Sequence, residues 1–380
     1  MNFLLSAEQA MLKESVNRLL DNLEETAPPP ESIWTKLAEM GLLALNVPDD
    51  HGGLGSGAVE TMIVSEALGR HLVSIPYAAT AVFSARALAA DPRNTTSSDL
   101  LPRIADGSAR VAFAHVEKQA RHDQDNVAAN ARQAESGWVL NGQKTLVVDA
   151  PNADALIVSA RLSGHQRDQS GLGLFVVRRD AQGLSLRDYS TQDGTPAGDV
   201  GLSNVKVSNH DLLGLPGEAF AIIETAIHAG IAAQCAEAVG IMDRMFTLTL
   251  SYLKTRKQFG VAIGSFQALQ HRMAEMLVTL EQARSMAHLA TLSLDAEPGE
   301  RRRMISAAKV QIGNSARFVG RQAVQLHGGI AITLDYPVGQ LYRRLTVLEA
   351  LFGDTQHHLS QLGEQGGLFA PGDFARGQAA

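Results

Sequence analysis

Cysteine is nearly absent: Cys235 is the single one in the chain. An intrachain disulfide and a cysteine-built zinc site are therefore both excluded. Cys235 lies in an alanine-rich run and reads as a small apolar core residue. A surplus of positive charge is missing too. The formal net charge is -7, which argues against a nucleic-acid binder, since facing phosphates takes excess Lys and Arg. The densest basic run, Arg301–Arg303, is expected on a solvated helix face. Long apolar runs are also lacking, and nothing approaches the ~20 residues of a membrane span. The opening MNFLLSAEQAML has neither the cationic start nor the apolar stretch of a signal peptide. The expectation is a cytoplasmic protein that engages neither membrane nor nucleic acid.

What is present is an ordinary globular balance, with 45% apolar and 19% charged residues. At 380 residues, two or three domains are expected. Residues 1–110 carry a helical pattern. Ser6 and Gln9 suit a capping box ahead of Met11, Leu12, Val16, Leu19 and Leu20 on one face. Further helices are expected over 58–71 and near Thr80–Ala89. Between 111 and 215 the period changes to two: VAFAHV, GWVLNGQKTLVV, ALIVSARL, GLGLFVVRRD and VGLSNVKVS are separated by turn residues. Asn141-Gly142 carries a hairpin signal, and the spacing suggests a β-barrel or sandwich. From 216 to 365 long helices return, with Phe266, Leu269, Met273, Met276, Leu277 and Leu280 forming a bundle stripe. Two further helices are expected over 299–325 and 338–363, and residues 366–380 read as a loosely ordered tail. The fold class is thus multidomain α+β: an N-terminal helical domain, a central β-barrel domain and a C-terminal four-helix bundle.

GLGSGA (53–58) fits a relaxed dinucleotide fingerprint, but that motif has meaning only between a strand and a helix. Helices surround it here, so it reads as a loop leading into the 58–71 helix. RKQFGVAIGSFQALQHRMAEM (256–276) is more specific: a helix ends on a basic residue, a Phe-Gly turn follows, and a helix opens at Ser265. In QLHGGIAITLDYPVGQLYRR (325–344), Gly328 and Gly329 let a ligand approach the backbone closely, and their amides suit a phosphate. LEALFGDTQHHL (348–359) gathers Glu349, Asp354, His357 and His358. His357 and His358 point about 100° apart on a helix, and Asp354 with His357 supplies two ligands where a metal needs more. No metal is expected.

These motifs carry a resemblance. NVPDDHGGLGSG…SEALGR, NGQK, RKQFG…SFQ and QLHGG…YPV…YRR occur in the order and spacing of the acyl-CoA dehydrogenase family, over essentially the whole chain. More narrowly, FGDTQHHL and GAVETMIVSEALGR resemble the small subunit of pimeloyl-CoA dehydrogenases and related heteromeric enzymes. The resemblance implies an α–β–α flavoprotein that uses FAD to convert an acyl-CoA to the 2-enoyl-CoA. Electrons would pass to an electron-transfer flavoprotein. It implies a homo- or heterotetramer with another acyl-CoA dehydrogenase subunit. Arg256 would bind a neighbouring subunit's FAD pyrophosphate, a bidentate pairing that Lys does not match. Gln258 and Phe259 would lie beside it and Gln267 would face the cofactor. Gln325, Gly328 and Gly329 would line the adenosine part across the interface, and Gln356 the adenine end of the chain's own flavin.

The departures fall where the family's chemistry is done. Its Thr-Glu-Pro…Gly-Ser-Asp segment becomes HVEKQARHD (115–123). Val116 stands for the Thr, Lys118 for the Pro and His122 for the Ser, while Glu117 and Asp123 are kept. The Trp-x-Thr that packs on the flavin ring becomes Leu146-Val147-Val148, so hydroxyls and an indole that tune a flavin are lost. The family's reaction removes an acyl α-proton with a carboxylate that must reach it. One family position for that base is Phe352 here, and the other, on a helix ten residues before Gly240, is Gly230. Three explanations stay open: Asp354 acts as the base, Glu349 does so from one turn earlier, about 5 Å along the helix, or this chain is a non-catalytic structural subunit that completes a catalytic partner's flavin site.

Overall fold

The computed structural model of the protein describes residues 4–26, 29–55, 57–333 and 336–367. Ser56 of the GLGSGA loop and the tail beyond Gly367 lie outside them. The expected capping box forms. The Ser6 amide donates to Gln9 Oε1 (3.0 Å) and the Gln9 amide to Ser6 Oγ (3.2 Å), opening α1 (Ala7–Thr26). Helix α2 (Pro30–Glu39) starts on a proline, whose missing N–H is no loss at a first helical position. The third helix, α3, spans Ala58–Arg70.

The regular helix expected over Thr80–Ala89 is instead an eight-residue π-helical stretch, Tyr77–Ser84, running into a short α4 (Ala85–Ala89). Apolar content signals a helix here but does not distinguish i→i+4 from i→i+5 bonding. The widened turn is held against strand β1 (Val111–Ala114). Thr80 Oγ1 and Ser84 Oγ both donate to the Val111 carbonyl, at 3.1 and 2.8 Å. Helix α5 (Thr95–Ala105) is capped by Asn94, whose Oδ1 accepts from the Thr96 and Ser97 amides.

Strands β2 (Asn130–Ala134), β3 (Gly137–Val148), β4 (Ala155–Arg161) and β5 (Leu172–Arg178) follow. After them come β6 (Leu184–Ser190), β7 (Pro196–Val207) and β8 (Leu212–Leu213). They form one sheet in the order β6-β7-β3-β2-β4-β5-β8, with β1 parallel to β4. The sheet curls on itself: the Trp138 ring of β3 stands 5.6 Å from the Phe175 ring of β5, with two strands between. Its enclosed face carries Leu140, Val147, Leu156, Val158, Val177 and Val200.

The hairpin turn does not fall at Asn141-Gly142. Strands β2 and β3 pair from Ala134 opposite Gly137, so the turn is Glu135-Ser136, and β3 continues through Asn141-Gly142 opposite a bulge in β7 at Ser203-Asn204, where Asn204 has φ 53°. Gly142 has φ 146°, and a Cβ there would come within 2.5 Å of Ala129 Cβ. Asn141 Oδ1 accepts from the Asn204 amide at 2.8 Å. An Asn-Gly pair marks any site needing unusual backbone, so composition alone does not separate a turn from a strand facing a bulge.

Helix α6 (Phe220–Thr255) leads into a minimal hairpin, β9 (Lys257–Gln258) and β10 (Val261–Ala262). Phe259 (φ 56°) and Gly260 (φ 82°) make its two-residue turn, both with positive φ as a type I′ turn requires. Helix α7 opens at Gln267 and not at Ser265, because Ile263–Ser265 is a 3₁₀ turn and Phe266 is extended. Helices α7 (Gln267–Leu292), α8 (Pro298–His327) and α9 (Pro337–Ala350) complete the bundle. The single helix expected over 338–363 is broken. Phe352 (φ 55°) and Gly353 (φ 112°) leave helical geometry, and α10 (Thr355–Glu364) starts afresh.

By its internal packing the chain divides into two compact units. One takes the described parts of Met1–Asn22, Met62–Val73 and Ile231–Ala380. Within it α3 crosses α6 at bare backbone: a Cβ on Gly240 would lie 1.9 Å from the Glu66 carbonyl oxygen. Arg284 of α7 joins Glu66 (2.6 Å) to Asp243 (3.3 Å) beside that crossing. The other unit takes Leu23–Thr61 and Ser74–Gly230, and holds the sheet. Among the described residues no helix is long and apolar enough to cross a membrane.

Gly142→Ala is expected to cost about 1–3 kcal/mol, because the added methyl overpacks the strand against Ala129. Were Asn141-Gly142 an open hairpin turn, the loss would be smaller and thermal unfolding would shift little.

Candidate functional site

In the sheet-bearing unit, a buried polar cluster fixes the backbone of 115–123. Lys144 Nζ, fully buried, donates to Glu117 Oε1 (2.6 Å), to Ser159 Oγ (2.9 Å) and to the His115 carbonyl (3.3 Å). Glu117 also accepts from the amides of Ala128 (2.9 Å) and Ala129 (3.1 Å). Burial by itself would raise the Glu117 carboxyl; the Lys144 ammonium, Gln119 and the Ala128 amide outweigh it and hold the group below the usual carboxylate range. His115 is pushed down to about 3 by burial and by Lys144, so it is neutral at pH 7.

Val116, His122, Leu146 and Val148 are each half-buried in this unit. None of Val116, Leu146 and Val148 offers a side-chain donor. Leu146 adopts φ 52°, where β3 slips its register against β7. Its amide is turned toward Tyr189 Oη (3.1 Å) and Asp199 Oδ1 (3.4 Å). Asp199 in turn accepts from Thr145 Oγ1 (2.7 Å), Tyr189 Oη (2.9 Å) and Arg187 (2.7 Å). This network borders a cleft of about 690 Å³ on the outer face of β3, β6 and β7, with Lys118 and Gln143 at its edge. Sequence reasoning missed it, since its members lie on three strands whose order only the fold reveals.

In the helical unit, Arg256, Gln258, Phe259, Gln267, Gln325, Gly328, Gly329 and Gln356 are all exposed. Phe259 is 92% exposed and meets the Phe266 ring edge-on at 6.1 Å. Nothing lies within 4 Å of where a Cβ on Gly328 or Gly329 would be, so their backbone is open to a ligand. Beneath them His327 is buried. Its Nδ1 pairs with the Ala323 carbonyl (2.8 Å) and its Nε2 with Tyr336 Oη (3.1 Å), while its ring packs 4.6 Å from Tyr252. The carbonyl requires a proton on Nδ1, so Nε2 accepts the Tyr336 hydroxyl.

The segment Leu348–Leu359 is a clamp. Lys309, buried on α8, donates to the carbonyls of Leu348 (2.6 Å) and Leu351 (2.9 Å), which the end of α9 leaves unpaired. His358 bonds Ser306 Oγ through Nδ1 (3.1 Å) and the Phe352 carbonyl through Nε2 (3.2 Å). Asp354 caps α10, its Oδ1 accepting from the His357 amide at 2.8 Å. Glu349 pairs with Arg317 (2.9 Å) and accepts from both the amide (3.1 Å) and the hydroxyl (2.8 Å) of Thr355. Gln356 lies on the first turn of α10. Cys235 is buried near Lys309, and burial raises its thiol to about 11. Among the described residues no three His, Cys, Asp or Glu side chains are grouped as a metal site.

Of the two positions where the family resemblance puts a proton-abstracting carboxylate, one is Phe352 and the other Gly230. Phe352 stands at the α9–α10 break. A side chain at Gly230 would strike the Phe83 ring, whose nearest atom is 1.9 Å from the Cβ position.

Profiles for the acyl-CoA dehydrogenase N-terminal, middle and C-terminal domains match residues 4–108, 112–205 and 217–367. The chain belongs to the acyl-CoA dehydrogenase family. It is 29% identical over 354 residues to a 3-(aryl)acrylate reductase of Clostridium sporogenes, covering 90% of this chain and 92% of that one. A glutaryl-coenzyme A dehydrogenase in complex with glutaryl-CoA superposes with a TM-score of 0.87 at 25% identity, covering 96% and 97% of the chains. The Tcur3481-Tcur3483 steroid ACAD superposes with a TM-score of 0.83 at 27% identity, covering 98% and 99%.

The family consists of FAD-dependent oxidoreductases acting on CH–CH groups. The residues present fit that cofactor unevenly. The exposed Arg256 and the open Gly328-Gly329 backbone suit a dinucleotide's phosphates and adenosine. Val116, Leu146 and Val148, at the positions where the resemblance expects contact with the flavin ring, carry no hydroxyl.

Glu117→Gln is expected to cost about 3–5 kcal/mol at neutral pH, because Lys144 is left buried without its counter-charge. A carboxyl whose folded pKa is lowered stabilises above its unfolded value, near 4.3, and that stability fades as pH falls through the folded one. Urea unfolding of the two proteins should therefore differ most above about pH 5 and converge in acid.

Proposed function

We propose that this chain is one component of a heteromeric FAD-dependent acyl-CoA dehydrogenase. The enzyme would oxidise an acyl-CoA to the 2-enoyl-CoA, with electrons passed on to an electron-transfer flavoprotein. The carboxylate that removes the α-proton belongs, in this reading, to a partner subunit, and the assembly is a heterotetramer in the cytoplasm. The observation that carries it is the absence of a carboxylate at both base positions, with Phe352 at one and Gly230 at the other. The exposure of Arg256, Gln258, Gln267, Gln325, Gly328 and Gly329 supports it, since these side chains and amides are free of internal burial and face outward. A similar structure, the Tcur3481-Tcur3483 steroid ACAD, is named as a pair.

The division of labour follows from chemistry. The family's cofactor, when bound, supplies the acceptor for the β-hydrogen. This chain's Arg256 would hold the cofactor's pyrophosphate, and Gly328 and Gly329 would let its adenosine lie against bare backbone. Asp354 caps α10 through Oδ1, and Glu349 is tied to Arg317 and Thr355; both engagements support giving the base to a partner.

Expressed alone, the chain is expected to retain little flavin and to show no anaerobic bleaching with any acyl-CoA. Co-purified with its partner it should be yellow and active. A general base is worth about 10²–10⁴-fold in rate, so Asp354→Asn losing that much in the complex would overturn this reading. Arg256→Lys should lower the flavin retained by the complex without unfolding it, which the 450 nm absorbance per protein measures.

A further inference from the structure

Position 230 has a direction as well as an identity. A base carried there must reach the acyl α-proton, so the Cα–Cβ line at residue 230 leads to the place where an acyl group reacts. In this chain the line ends on a phenyl ring, with three Phe83 ring atoms 1.9–2.3 Å from an ideal Cβ.

That ring is not a mobile end. Phe83 is 2% exposed and lies on the π-helical stretch Tyr77–Ser84. Thr80 and Ser84, which flank it, are bonded to the Val111 carbonyl, so the widened turn cannot rotate without breaking both bonds. The ring stacks on Phe113 of β1 (6.0 Å, 26°), and Phe113 packs 6.1 Å from the neutral His115 imidazole. Phe83, Phe113 and His115 are all buried, so a shift of the Phe83 ring presses on close-packed neighbours. The glycine is thus the consequence of the phenylalanine.

We infer that Phe83 excludes an acyl group from this chain's own acyl position, making it the residue that assigns substrate to the partner subunit. This deepens the proposed function and rests on it. The two are separable, because a chain can bind an acyl-CoA without removing its proton.

The test is calorimetric titration of the full-length chain with CoA, butyryl-CoA and octanoyl-CoA. With no apolar pocket for the acyl chain, the three are expected to bind within about twofold of one another. Phe83→Ala should bind butyryl-CoA about tenfold more tightly than CoA, since a methylene or two then leaves water. Phe83→Leu should give a smaller increment and stands in if the alanine variant does not unfold cooperatively. Gly230→Ala should lower the melting temperature sharply in the wild-type background and much less in Phe83→Ala. Acyl-dependent binding by the wild-type chain, or a tolerated Gly230→Ala, would overturn the exclusion while leaving the proposed function intact. Bleaching of flavin by the isolated chain would instead overturn the proposed function.

Discussion

One ammonium group, that of Lys309, decides what the segment Leu348–Leu359 can be. Helix α9 ends with two carbonyls that have no partner within the helix, on the buried residues Leu348 and Leu351; Lys309 supplies both with a donor from α8. Once those carbonyls are tied, the chain can turn through Phe352 and Gly353 at positive φ and begin α10 under the Asp354 cap. His358 closes the turn from the far side by bonding the Phe352 carbonyl. Burial disfavours the charged form of Lys309 and lowers its pKa, with Cys235, Glu349 and Asp354 opposing that effect. The polar residues that look like a reaction centre in the sequence are largely consumed in holding this bend.

The elements legible from sequence were those with a local cause. The Ser6–Gln9 box, the long bundle helices and the alternating strands each follow from side-chain type at fixed spacing, and the structure carries them. What was not legible depended on partners far along the chain. Asn141-Gly142 stays within a strand because β7 bulges opposite it at Asn204, whose amide Asn141 accepts, and because Ala129 fills the space beside Gly142. The π-helical turn exists because Val111 offers a carbonyl to Thr80 and Ser84 together. The break after Ala350 depends on a lysine forty residues upstream, so helical periodicity read it as continuous.

The same division holds for the site. Residue types at motif positions were readable by comparison, which is why the missing carboxylates could be named from sequence. Whether Asp354 and Glu349 were available was not readable, since availability is a matter of who else holds the oxygen. The Thr145–Asp199–Tyr189–Arg187 network lay outside reach for a related reason: its members meet only because β6, β7 and β3 are neighbours.

Cys235 acquires a use from its setting. It is the single thiol of the chain, it is buried, and its surroundings keep it protonated near neutral pH. A thiol reagent added to the native protein can therefore react only when the packing of α6 against α8 opens. The rate of modification becomes a clock for breathing of the helical unit, read from one atom without labelling or mutation. Because Cys235 lines the same small cavity as Lys309 and Glu349, that clock runs beside the bend it would report on.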